Sequence, residues 1–290
     1  MTTPLVVPPE RQGSVELADR RNLAVSEWGP ADGDPILFCT GAGMSGSLGF
    51  GAEALRAQTL RLIGIDRPGL GRSSLAPEKS FSSWTADVRG LIEALDLTQP
   101  AAVGFSQGAP FALALAHAGL VHSVAIVSGQ DELSHPSLRG MLDSGVDGLR
   151  QQIVADPAGV ERHVSETATA DWLWSMISQM SAPADVAIYT SEPFATLYQQ
   201  SLAEGFMQGA SGYARDLTLA MSPWPFALEE IAVPVHLWYG ALDTSPVHSP
   251  DHGAGMASRL PHSTRQVLPD HGSAILWLQA ERILSALAER

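Results

Sequence analysis

Short apolar runs alternate with helical segments along this chain, and the alternation breaks only once. Strands are expected over residues 15–17, 23–28, 35–39, 61–65, 101–105 and 123–128, and again over 233–239 and 264–268. Helices are expected around 52–57, over 82–95 and 109–118, around 252–259, and over 273–288. The 82–95 helix has the clearest period, with Trp84, Val88, Leu91, Ile92 and Leu95 at helical spacing and serines before it able to cap its first turn. Strands separated by helices form a mostly parallel sheet covered on both faces, so the fold class is α/β.

From about residue 132 to 225 the pattern is helical throughout, punctuated by Pro136, Pro157, Pro183, Pro193 and Pro223. An all-helical insertion in a βα array is expected to cover the carboxyl edge of the sheet, where open parallel sheets bind ligands. The organisation read from this order is a core of residues 1–131 and 226–290 with a helical cap over 132–225.

Residues 101–128 are mostly apolar and about membrane-spanning in length. Ser106, Gln107, Pro110, His117 and His122 interrupt them, and a strand, a core helix and a second strand laid end to end look the same. The net charge of −14, with Lys79 the only lysine, argues against nucleic acid and anionic membrane surfaces. The expected partner is a small-molecule substrate. Cys39 is the only cysteine, which excludes an intrachain disulfide and suits a cytoplasmic setting. Residues 1–9 lack a basic start followed by an apolar core, so no signal peptide is expected there.

Gly104-Phe105-Ser106-Gln107-Gly108 fits G-x-S-x-G between an expected strand and an expected helix. A sharp strand-to-helix turn holds such a serine in a strained conformation with its hydroxyl exposed, and the flanking glycines leave room for the close packing. With Gly64-Ile65-Asp66-Arg67-Pro68-Gly69-Leu70-Gly71-Arg72-Ser73 after the 61–65 strand, the chain resembles the α/β-hydrolase superfamily over nearly its whole length. The resemblance implies a cofactor-free serine hydrolase and makes Asp66 a loop-ordering acceptor.

A serine hydroxyl needs a base to take its proton. Of nine histidines, His271 lies between the last expected strand and the closing helix, where the base is expected. His252 sits in an identical Asp-His-Gly triplet but close behind the acid strand, and is expected at the surface. His117 and His122 read as structural. Asp243, after the 233–239 strand, is the expected acid, with Asp131 as its rival; the chain order Ser, Asp, His suits this fold. The expected oxyanion donors are the backbone N–H groups of Gln107 and Ala42, with Gly43 an alternative to Ala42. Thr40 stands where the family usually has histidine, which leaves open how that loop is held. Asp270 precedes His271 where the family commonly has glycine, a change that aspartate's tolerance of left-handed backbone allows.

Trp172, Met176, Phe194, Tyr198, Met207 and Trp224 are candidates for an apolar substrate pocket. A serine nucleophile, in place of a carboxylate, counts against the dehalogenase and epoxide hydrolase branches. Residues 223–226 (Pro-Trp-Pro-Phe), followed by Ile231 and Pro234, are similar to esterases and iminopeptidases of the family. Hydrolysis of a small, largely apolar ester is the leading expectation. Perhydrolysis of the haloperoxidase kind, carbon–carbon hydrolysis and slow-turnover ligand sensing are the alternatives. No metal-ligand spacing or dinucleotide fingerprint occurs, so neither metal nor cofactor is expected.

Overall fold

The structure, a computed structural model, describes residues 4–288; the first three residues of the segment read for a leader lie outside that range. Its eight strands are Arg11–Glu16 (β1), Asn22–Trp28 (β2), Asp34–Cys39 (β3), Leu60–Ile65 (β4), Ala101–Phe105 (β5), Val124–Val127 (β6), Val235–Gly240 (β7) and Ser263–Leu268 (β8). They form one sheet in the order β1-β2-β4-β3-β5-β6-β7-β8. β2 runs antiparallel to both β1 and β4, and every later pairing is parallel.

The helices of the array are Ala52–Ala57 (α1), Phe81–Ala94 (α2) and Gly108–His117 (α3) before the insertion. Ala254–Arg259 (α10), Ile275–Leu278 (α11) and Ala280–Ala288 (α12) follow it. Between β6 and β7 lie Ser144–Ala155 (α4), Pro157–Thr167 (α5), Ala170–Met180 (α6), Pro183–Tyr189 (α7), Phe194–Gly205 (α8) and Ser211–Met221 (α9). The prolines divide this stretch by starting helices. Pro157 and Pro183 occupy the first helical position, where a missing N–H costs nothing.

Strand pleating sorts the apolar residues onto two faces. Ile36, Phe38, Val103, Phe105, Ala125 and Val127 join one core cluster, which holds α11 and α12. Leu37, Cys39, Ala102, Val124, Ile126 and Leu237 join the other, with α2 and α3. The central strands are buried on both sides, which is why they read as continuous apolar runs.

The expected boundaries shift where one face meets solvent. β1 begins at Arg11 because, as an edge strand, it buries only Val15 and offers little apolar signal. The closing helix is broken at Gln279 into α11 and α12. Among the described residues, no helix is long and apolar enough to cross a membrane.

Cys39 ends β3 fully inside the sheet, and burial pushes its thiol up to about 12. A thiol held neutral and enclosed is a poor nucleophile. Cys39 is therefore expected to resist a disulfide reagent at pH 8 in the native protein and to react once in denaturant. Rapid native labelling would contradict this packing of β3.

Candidate active site

β5 ends at Phe105 and α3 starts at Gly108, so Ser106 and Gln107 make the whole turn. Ser106 has φ 50°, a left-handed conformation that costs about 1–3 kcal/mol in a non-glycine residue. Backbone hydrogen bonds hold it there. Its N–H donates to Val127 O at 3.2 Å, and its carbonyl accepts from Ala109 and Gln130 at 3.1 and 3.0 Å. The glycines are required by contact. A Cβ on Gly108 would lie 2.0 Å from the Cys39 carbonyl oxygen, and one on Gly104 would lie 2.9 Å from Ala109 Cα.

The imidazole that meets Ser106 belongs to His248, not His271. His248 Nε2 lies 2.9 Å from Ser106 Oγ, and His248 Nδ1 lies 2.6 Å from Asp243 Oδ2. The carboxylate fixes the proton on Nδ1 and leaves Nε2 free to accept from the serine. The second Asp243 oxygen accepts from the Ser245 N–H at 3.0 Å, so the acid is oriented by its own loop. His248 and Asp243 thus come from one loop after β7, five residues apart in sequence.

The expectation for His271 is corrected for a geometric reason. The turn after β8 packs closely on β7: the His271 carbonyl accepts from Leu242, and a Cβ on Gly240 would lie 2.2 Å from that oxygen. The ring is turned to Gln279, with 3.0 Å between the two Nε2 atoms, and among the described residues its Nδ1 has no hydrogen-bond partner. Ser273, two residues later, is the part of this turn that lines the cavity. The order Ser, Asp, His holds for His248 as well as for His271, so chain order could not separate them. The available signal was proximity to Asp243. His252, expected at the surface, is half-buried, and its ring centroid lies 6.4 Å from that of Tyr239. His117 pairs with Glu230 at 3.0 Å.

Asp131, the rival acid, supports the base loop instead. Its oxygens receive Arg259 Nη2 at 2.9 Å and the Ser249 hydroxyl at 3.1 Å, next to His248. Ser249 also donates its N–H to Gly129 O at 3.0 Å. Burial pushes the Asp131 carboxyl above its usual range, and the Arg259 charge opposes this. Asp66 orders the loop that it opens after β4, accepting from Gly46 and Arg72 N–H groups at 2.5 and 2.8 Å.

The N–H groups of Gln107 and Ala42 make no hydrogen bond to another described residue, and both residues line the cavity beside Ser106. Gly43 has φ 63° and is not among the lining residues; Phe206 and Leu173 side chains pack against it. Thr40 stabilises the loop without a histidine, its hydroxyl donating to Met44 O at 2.9 Å. Arg67 donates to the carbonyls of Thr40 and Gly41 at 2.6 and 3.0 Å.

The cavity holds about 720 Å³, and its lining includes Ser106, His248 and residues of helices α4, α5, α6 and α9. Of the six residues expected to line it, Trp172, Met176 and Tyr198 do. The other three are corrections. Phe194 is buried in an aromatic stack with Tyr189, Tyr198 and Trp277. Met207 is 62 % exposed on the surface. Trp224 stacks on Phe226 and donates to Ala220 O, away from the cavity. Sequence shows that these side chains are large and apolar, but not which way each helix turns them. Among the described residues, no three or more His, Cys, Asp or Glu side chains gather where they could hold a metal ion.

Two curated relatives are similar to parts of the chain. A non-heme chloroperoxidase of Streptomyces lividans is 31 % identical over 152 residues, covering 49 % of this chain and 51 % of that protein. One of Burkholderia pyrrocinia is 33 % identical over 97 residues, covering 32 % and 34 %. The chain thus spans about half or less of the curated relatives it matches. Among solved structures, a bromoperoxidase from Bacillus anthracis superposes with TM-score 0.72 at 19 % identity, covering 97 % of this chain and 100 % of that one. An esterase from Exiguobacterium antarcticum does so with TM-score 0.68 at 17 % identity, covering 95 % and 97 %. These structural likenesses establish the fold alone. The family described as alpha/beta hydrolase fold matches residues 34–280, and the chain belongs to that family.

Proposed function

We propose that this protein is a serine hydrolase that cleaves a small, largely apolar ester through an acyl-enzyme. The observation that carries this reading is the unbroken hydrogen-bond chain from Ser106 through His248 to Asp243 at the wall of an apolar cavity. In the first half-reaction His248 Nε2 takes the Ser106 proton as Oγ bonds to the substrate carbonyl carbon. The oxygen that becomes negative is received by the N–H groups of Gln107 and Ala42, with the N-terminus of α3 reinforcing the field. The imidazolium, stabilised by Asp243, then protonates the leaving alkoxide as the carbon–oxygen bond breaks. In the second half, water attacks the acyl carbon, His248 takes its proton, and Ser106 leaves with that proton.

Helices α5, α6 and α9 act in this reading as a cap that excludes water and selects the acyl or alcohol group by shape. Trp172, Leu173, Met176, Ile177, Leu217 and Met221 make most of the lining apolar, with Asp143 the one carboxylate residue in it, which suits a largely apolar substrate.

A second reading is favoured by the two chloroperoxidase relatives. Hydrogen peroxide in place of water would attack the same acyl carbon, giving a peracid and free Ser106. The peracid would then oxidise a halide to hypohalous acid and return as the carboxylic acid.

Turnover of short p-nitrophenyl esters tests the first reading. Ser106→Ala and His248→Ala are each expected to lower kcat by at least about 10³-fold, whereas His271→Ala keeps kcat within about fivefold. The reverse ranking of the two histidine variants would overturn the assignment of the base. Halide oxidation requiring both acetate and peroxide, lost in Ser106→Ala, would support the second reading. Ester turnover without it would leave hydrolysis alone.

A further inference from the structure

We infer that Asp216, on insertion helix α9, is a positioning residue for the oxyanion hole, acting through Arg67. The inference rests on Ser106 being the nucleophile and adds a second, remote requirement for catalysis.

Arg67 and Asp216 are both fully buried, and Arg67 Nε donates to Asp216 Oδ2 at 2.8 Å. The other two guanidinium nitrogens face the oxyanion loop. Nη1 donates to Thr40 O at 2.6 Å and Nη2 to Gly41 O at 3.0 Å. The guanidinium carbon also lies 4.8 Å from the centre of the Phe111 ring, on the helix that follows Ser106. One planar, rigid cation therefore touches the loop, the nucleophile helix and the insertion.

The contact to Gly41 has a direct geometric consequence. The Gly41 carbonyl and the Ala42 N–H belong to the same planar trans peptide and point in opposite directions. Pinning the carbonyl oxygen on Arg67 aims the Ala42 N–H away from Arg67, toward the cavity that Ala42 lines. Thr40 supplies a hydroxyl where the family usually has an imidazole, so the fork of Arg67 takes over the orientation of two successive peptides.

Arg67 is itself oriented by Asp216, and its guanidinium can sit flat against both carbonyls only while Nε is held. Asp216 also forms an ion pair with Lys79, Nζ to Oδ1 2.5 Å, and that ammonium donates to Pro68 O at 2.7 Å. One carboxylate thus faces two enclosed cations. Tyr213, Leu217 and Met221 of the same helix line the cavity. The seat of the insertion and the aim of an oxyanion donor are coupled through a single side chain.

The test compares wild type with Asp216→Asn, and with Asp216→Asn combined with Lys79→Met. The second variant removes one buried cation along with the anion, because Asp216→Asn alone leaves two cations without a counter-charge and can compromise folding. Each folded variant is assayed for ester kcat and KM, for the pH profile of kcat, and for affinity toward an alkyl trifluoromethyl ketone. That ketone accepts Ser106 Oγ at its carbonyl carbon, the serine proton passing to His248, and places a real oxyanion in the hole. The expected result is a kcat lower by about ten- to a hundredfold and ketone affinity lower by a similar factor, with KM within about twofold and an unmoved pH profile. A raised KM with unchanged kcat, or ketone affinity equal to wild type, overturns the inference. So does a wild-type ketone adduct whose oxyanion does not meet the Ala42 N–H, whatever the variants do. Labelling wild type with a fluorophosphonate separates the two levels. Loss of the Ser106 label in wild type would remove the hydrolase reading and this inference together, whereas a labelled wild type with unaltered variants removes only the role of Asp216.

Discussion

The left-handed backbone at Ser106 is the constraint on which the rest of the molecule depends. A serine at φ 50° is unfavourable alone and persists because its backbone is hydrogen-bonded to Val127, Ala109 and Gln130 between the closely packed β5 and α3. That packing requires bare backbone at Gly104 and Gly108, and the Cys39 carbonyl against Gly108 ties the turn to β3. β3 in turn leads into the loop of Thr40, Gly41 and Ala42. Ser106 and the proposed oxyanion donors are therefore registered to each other through two adjacent central strands.

His248 reaches this fixed hydroxyl from the loop after β7. Acid and imidazole share the loop after β7, and a loop carrying both needs support of its own. The Asp131 carboxylate supplies it through Ser249 and Arg259, and the Ser249 N–H adds a bond to Gly129 at the end of β6. The turn after β8, freed of the imidazole, presents Ser273. Its hydroxyl lies 2.9 Å from the Tyr189 hydroxyl, and Asp185 of α7 accepts from the Ser273 and Ala274 N–H groups. This turn is thus bound to the insertion.

Much of the site was legible because its signals are local. The elbow is five consecutive residues whose glycines answer contacts within one turn, and Asp243 stands directly beyond a strong apolar strand. Asp66 was legible as a loop-ordering group through the family resemblance of its segment. His248 was not, since the hydrogen bond that singles it out joins residues 142 positions apart. Phe194, Met207 and Trp224 failed as pocket residues on similar grounds. A helix in a multi-helix insertion has several neighbours, and composition does not say which face meets the cavity.

The alternation of apolar runs with helical periods determined an α/β sheet with a helical interruption, because pleat and helix pitch impose their own spacings on any sequence that buries them. Local turn chemistry likewise determined where the nucleophile would stand. Which of nine histidines faces it, and how Arg67 and Asp216 join the insertion to the oxyanion loop, were decided only by tertiary structure. Those choices depend on the path of loops and the seating of helices, which follow from contacts between distant segments and leave no periodic trace along the chain.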